Sequence, residues 1–97
     1  MKNNEIIQVK KWNYGNYSND NYGAHSMALK LGNRTLYFSY DTIVAFVGSN
    51  SKGKCFNCIH ENIWGTTTGK HLNAINPNKK IRINETEFQA QLQEFLR

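Results

Sequence analysis

Glycine, three threonines, glycine, lysine and histidine follow one another from Gly65 to His71. Hydroxyls, free backbone N–H groups and a lysine near the start of a helix are the materials of an anion site, because a helix N-terminus favours negative charge. The spacing is not that of a phosphate-binding P-loop, which has four residues between its glycines and a hydroxyl residue after the lysine. Here three residues separate Gly65 from Gly69, and His71 follows Lys70. The pattern predicts an N-cap, with Thr67 or Thr68 closing the first turn of a short helix through its hydroxyl. A ligand or partner contact is the alternative. With Leu72 turned inward, Lys70 falls about 200° away around a helix of 3.6 residues per turn. Lys70 and His71 are therefore expected to be at least partly exposed.

Other residue types invite chemistry and are weighed the same way. Cys55, Cys58, His60 and His71 supply four donors of the kind that hold tetrahedral zinc. A single CxxC is a weak signal, and on a strand positions three apart point to opposite faces. Only a turn at Phe56-Asn57 would bring the two thiols together, so no metal or cofactor is expected. His25 and His71 could act as an acid–base pair, but no nucleophile is spaced to join them, and no catalytic residues are assigned. Trp12, Tyr14, Tyr17 and Tyr22 stand near Lys10 and Lys11. Bases stack on aromatic rings while lysines meet phosphates, which makes Lys10, Lys11, Trp12 and Lys70 a nucleic-acid reading. Tyrosine and tryptophan serve protein interfaces equally well, or finish a small core.

The elements that must position these residues are legible from periodicity. Glu5 to Trp12 alternates loosely as a first strand. Asn13 to Gly23 is rich in Asn, Tyr, Gly and Ser, which favour turns. From Ala24 to Leu31, His25, Met27, Leu29 and Leu31 share one face. Gly32-Asn33 makes a two-residue hairpin turn with glycine first. The run Arg34 to Tyr40 returns, the chain turns around Asp41-Thr42, and Ile43 to Val47 reads as a buried strand. Cys55 to Trp64 supplies a further strand. Pro77 ends the helix begun near residue 66, since the residue before a proline is driven out of helical space. Ile81 to Ile83 is short enough for one more strand. Asn84 and Glu87 have capping-box spacing, and Phe88, Leu92, Phe95 and Leu96 follow as an apolar stripe. The fold class is therefore α+β: a small antiparallel meander of four to five strands, packed by a C-terminal amphipathic helix, plus one short helix after residue 66.

Size and charge bound the rest. The 97 residues suit a single domain, and 39% hydrophobic with 12% aromatic residues is enough for a core. Lysine and arginine number 12 against 7 acidic residues, a formal charge of +5. That balance permits an anionic partner without requiring one, because the basic residues are scattered in pairs. The first residues lack the apolar stretch of a signal peptide, and no segment approaches the roughly 20 apolar residues of a membrane span. Two cysteines exclude a disulfide framework. A cytoplasmic address and no membrane partner are expected. An exposed edge strand leaves both monomer and homodimer open.

Two blocks carry a resemblance. Asp20 to Phe46, with "YFSYDTIVAF", and Glu61 to Ile75, "ENIWGTTTGKHLNAI", resemble a family of small uncharacterised domains carried by phages and other mobile elements. The resemblance implies a setting and not a mechanism. Small accessory proteins in that setting act by binding, which implies a non-enzymatic protein that holds a host or defence-system protein in the host cytoplasm. An anti-defence inhibitor, for instance of a CRISPR effector, is one such role. Tyr17, Tyr22, Thr67, Thr68, Lys70, His71 and Asn73 are the expected partner contacts. A small basic nucleic-acid- or nucleotide-binding protein is the alternative.

Overall fold

The computed structural model describes residues 9–15 and 25–97. Tyr17, Tyr22 and the beginning of the expected first strand lie outside the described residues. Five strands run β1 (Val9–Asn13), β2 (Met27–Leu31), β3 (Arg34–Ser39), β4 (Thr42–Ser49) and β5 (Cys55–Ile59). They form one sheet in the order β1-β2-β3-β4-β5, each strand antiparallel to its neighbours. Two helices follow, α1 (Thr66–Ile75) and α2 (Glu85–Phe95), with a short 3₁₀ turn at Lys79–Ile81 between them. This is the α+β meander that the alternation predicts.

From β2 to β5 short links explain the topology, because antiparallel neighbours need only tight turns. Gly32 opens the β2–β3 turn at φ +61°, a conformation that glycine adopts without a steric penalty. Cross-strand pairing puts Leu36, Phe46 and Cys58 on one face, and Tyr37, Ala45 and Ile59 on the other. Helix α2 covers the first face. Its Phe88, Leu92 and Phe95 join Leu36, Phe46 and Phe56, with Phe38, Ile43, Cys58 and Ile83 around them. The rings of Phe46 and Phe95 lie 4.7 Å apart, and those of Phe46 and Phe88 meet edge-on at 5.2 Å. Helix α1 covers the second face, where Leu72 packs on Val44, Ala45 and Ile59. The pairing shifts after Tyr37, so that Phe38 opposes Ile43 and Val44 is the extra residue of a bulge. Val44 and its neighbour Ala45 can then both reach the α1 side.

Three details differ from the sequence reading. The strand expected from Cys55 to Trp64 ends at Ile59, and His60 only bridges Ile83. Ile81 to Ile83 does not form a strand. Only Ile83 bridges His60, in parallel, through Ile83 N to Ile59 O and Glu61 N to Ile83 O. Leu96 is the C-cap of α2 and is 52% exposed, at the edge of the apolar stripe about 80° around the helix from Phe88. Asn84 does cap α2, its Oδ1 accepting from Glu87 N at 2.9 Å.

Candidate contact surface

The block from Glu61 to Asn73 is a single structural unit. Asn62 organises its start: Oδ1 accepts from Trp64 N and Gly65 N, while Nδ2 donates to Gly65 O. A Cβ at Gly69 would come within 2.9 Å of Asn62 Nδ2, so glycine there lets the loop close against the helix. Downstream, Asn73 Oδ1 accepts from Arg82 Nη2 at 2.9 Å and ties α1 to the segment that precedes α2. Much of the distinctive wording of this block thus serves local architecture.

The expected threonine cap is absent. Gly65 is the N-cap of α1 and provides no side-chain hydrogen bond. Thr68 is buried instead, and its Oγ1 lies 2.9 Å from Ser39 Oγ. His71 is fully buried, not exposed, with Nδ1 2.7 Å from the same Ser39 Oγ. The physical reason is helical spacing. Thr68, His71 and Leu72 fall at i, i+3 and i+4 and share the inward face, and Ser39 at the end of β3 offers the polar pair a partner. A buried hydroxyl or imidazole is tolerated when it is hydrogen-bonded. The angular argument holds for Lys70, which is half-buried.

Around this polar knot lie the residues that reach solvent. The β3–β4 turn carries Tyr40 at φ +57°, the one non-glycine residue with positive φ among those described. For a bulky side chain that conformation is uncommon. Tyr40 N donates to His25 O at 2.8 Å, and the two rings stack at 4.4 Å. Tyr40 remains 50% exposed. On one side it borders an apolar hollow of about 550 Å³ with His25, Met27, Leu29, Phe38 and Asp41. On the other it borders a hollow of about 370 Å³ whose walls include Ser39, Trp64 and the first turn of α1, Thr66 to Thr68. Met27 and Trp64 are 43% and 41% exposed. Among the described residues the Asp41 carboxylate has no hydrogen bond or ion pair.

The residues singled out from sequence are only partly brought together. Thr67 and Thr68 line the smaller hollow beside Tyr40. Asn73 lines a separate polar hollow of about 350 Å³ with Glu61, Asn62, Gly69, Lys79 and Arg82. Lys10, Lys11 and Trp12 lie on the edge strand β1, where alternation turns Lys10 and Trp12 to one face and Lys11 to the other. Cys55 and Cys58 sit on opposite faces of β5, and burial pushes the Cys58 thiol up from its ordinary value. Tyr40, Trp64, Met27 and Asp41 were not anticipated as surface residues, and Ser39 was not anticipated as the partner of His71. The one available signal was their place beside the turn that closes "YFSYD", since hairpin tips reach solvent.

His60 fixes the other end of the loop. It is 1% exposed, with Nε2 2.5 Å from Glu85 Oε1 and Nδ1 2.6 Å from Glu61 O. Its ring packs against Phe88 at 4.8 Å and Trp64 at 4.7 Å. The first turn of α2 thereby holds Trp64 in place.

A family model of unknown function, DUF8033, matches residues 5–90. The chain belongs to that family. No curated protein and no solved structure matches it. No helix among the described residues is long and apolar enough to cross a membrane.

Proposed function

We propose that this is a non-catalytic accessory protein of a phage or mobile element that acts by binding a host protein, with inhibition of a defence system as its role. The observation that carries the reading is the surface centred on Tyr40. Met27, Tyr40 and Trp64 each leave two-fifths or more of their surface in water. Tyr40 borders both hollows, one on the α2 side of the sheet and one on the α1 side, at the hairpin tip between them. Tyrosine, tryptophan and methionine are the residue types enriched in protein interfaces. Ser39 pairs with Thr42, so the two-residue turn between them requires positive φ at its first position, where glycine would fit at less cost than Tyr40. The ring, not the backbone conformation, is what the turn leaves unexplained. The unpaired carboxylate of Asp41 offers a charge for a basic group on the partner. The resemblance of the two sequence blocks to phage-borne domains supports the setting.

Ser39 and His71 have the distance of a nucleophile and its base, yet they favour a structural role. Ser39 is 3% exposed and His71 is fully buried, and Thr68 occupies the hydroxyl from a second side. Ser39 stands in the wall of the smaller hollow, but its hydroxyl is already engaged by both Thr68 and His71, which fits a structural contact better than a nucleophile.

The test is retention of host protein from lysate on immobilised wild-type protein and on a Met27→Ala, Trp64→Ala variant. The same host protein should be retained by the wild type and lost by the folded variant. Equal retention by both would place the contact elsewhere, and no retention by either would remove the reading.

A further inference from the structure

A second surface, independent of the first, lies at the β1–β2 end of the sheet. Lys10 and Lys30 are direct cross-strand partners. Directly opposed residues of an antiparallel pair have Cβ atoms about 4.5–5.5 Å apart, and like charges at that distance destabilise the pairing. Among the described residues no carboxylate offsets them. Strands β1, β2 and β3 carry Lys10, Lys11, Lys30 and Arg34 and no acidic residue. Lys10, Lys11 and Lys30 form no ion pair among the described residues. The acidic residues described lie later in the chain: Asp41, Glu61, Glu85, Glu87 and Glu94.

Charging an edge strand is a common guard against strand-to-strand aggregation, and it accounts for Lys10 and Lys11. It does not account for Lys30, which sits on β2, an inner strand paired on both sides. Trp12 completes the arrangement. It shares the α1-side face with Lys10, whose Nζ lies 5.7 Å from the indole centroid, and it remains half-buried.

We propose that Lys10, Lys30 and Trp12 form a binding site for single-stranded nucleic acid, the lysines taking successive phosphates and the indole stacking on a base. Stacking distinguishes this partner from an acidic protein surface, which would need the lysines alone. It also distinguishes a single strand from a duplex, whose bases are already stacked on one another. Lys11 faces the α2 side and is not part of the site.

The measurement is fluorescence anisotropy of a labelled oligothymidylate of about 20 nucleotides, long enough to span such a site. Binding at about 25 mM salt should weaken about 20-fold at about 200 mM, as expected when two phosphates of a single strand are neutralised. Lys10→Glu with Lys30→Glu should abolish binding. Lys11→Glu with Lys52→Glu makes the same change in net charge elsewhere and should leave binding within a few-fold of wild type. Lys30→Glu alone should bind more weakly and melt at a higher temperature, because it converts a repulsive pair into an attractive one; that readout separates lost binding from lost fold. In a Trp64→Phe background, the remaining indole should be quenched by the oligonucleotide. Absence of binding at low salt would overturn the proposal. Equal losses in the two charge-reversed doubles, unquenched Trp12, or duplex bound as tightly as the single strand would each do the same.

Discussion

Helices α1 and α2 cover opposite faces of the same sheet and are built on opposite terms. Beneath α2 lies a stack of phenylalanines, Phe46, Phe56, Phe88 and Phe95, and the helix begins with an Asn84 cap and acidic residues Glu85 and Glu87 in its first turn. Each of these features stabilises a helix: apolar burial, a satisfied N–H, and negative charge at the positive end of the dipole. Beneath α1, Leu72 is the fully buried apolar anchor with Ile75 partly buried beside it, while Thr68 and His71 meet Ser39 through hydrogen bonds. Its first turn has no side-chain cap and no acidic residue. The α1 turn borders the hollow beside Tyr40. One helix fastens the fold, and the other holds a surface in place with directional contacts.

The contrast predicts a ranking of effects. Phe88→Ala should be the most damaging, at about 3–5 kcal/mol, since it removes a fully buried ring from the centre of the α2 core. In a small domain whose total stability is on the order of 5–15 kcal/mol, chemical denaturation should show a large loss of folded protein. His71→Ala should cost less, about 1–3 kcal/mol, chiefly by leaving buried hydroxyls short of a partner. If His71→Ala equalled or exceeded Phe88→Ala, the polar knot would be as much a foundation of the fold as the phenylalanines.

Smaller effects are expected at the helix starts. Asn84→Ala should cost about 1 kcal/mol, the usual value of a lost N-cap. Gly65→Ser should instead stabilise α1 by a few tenths of a kcal/mol, because it supplies a cap where none exists. A Cβ at Gly65 meets nothing within 4 Å, so the substitution has room. Thermal melts of the two variants should shift in opposite directions.

The sequence disclosed the fold better than the surface. Alternation in Met27–Leu31 and Arg34–Ser39, the glycine-first turn at Gly32, and the Asn84 to Phe95 helix all follow from local rules that the structure obeys. The threonine cap failed because propensity has no view of Ser39, which lies 29 residues before Thr68 in sequence and draws its hydroxyl inward. His71 failed for the same reason, since helical geometry says which side chains share a face but not what waits beneath them. The Tyr40 surface is tertiary in origin. It joins a β-turn, the β2 face and the loop at Trp64, and no single window of sequence contains all three.

We propose that a tyrosine stands at position 40 for contact, since the β3–β4 turn needs positive φ there but not an aromatic ring. Tyr40→Gly tests it, because glycine adopts φ near +57° without penalty while the variant loses the ring stacked on His25. Relief of about 1–2 kcal/mol of backbone cost offsets a lost stacking contact of about 0.5–1.5 kcal/mol, so stability should change by no more than about 1.5 kcal/mol. The decisive measurement is retention of the host protein by this folded variant beside the wild type. Loss of retention at unchanged stability is the predicted result; undiminished retention would contradict it.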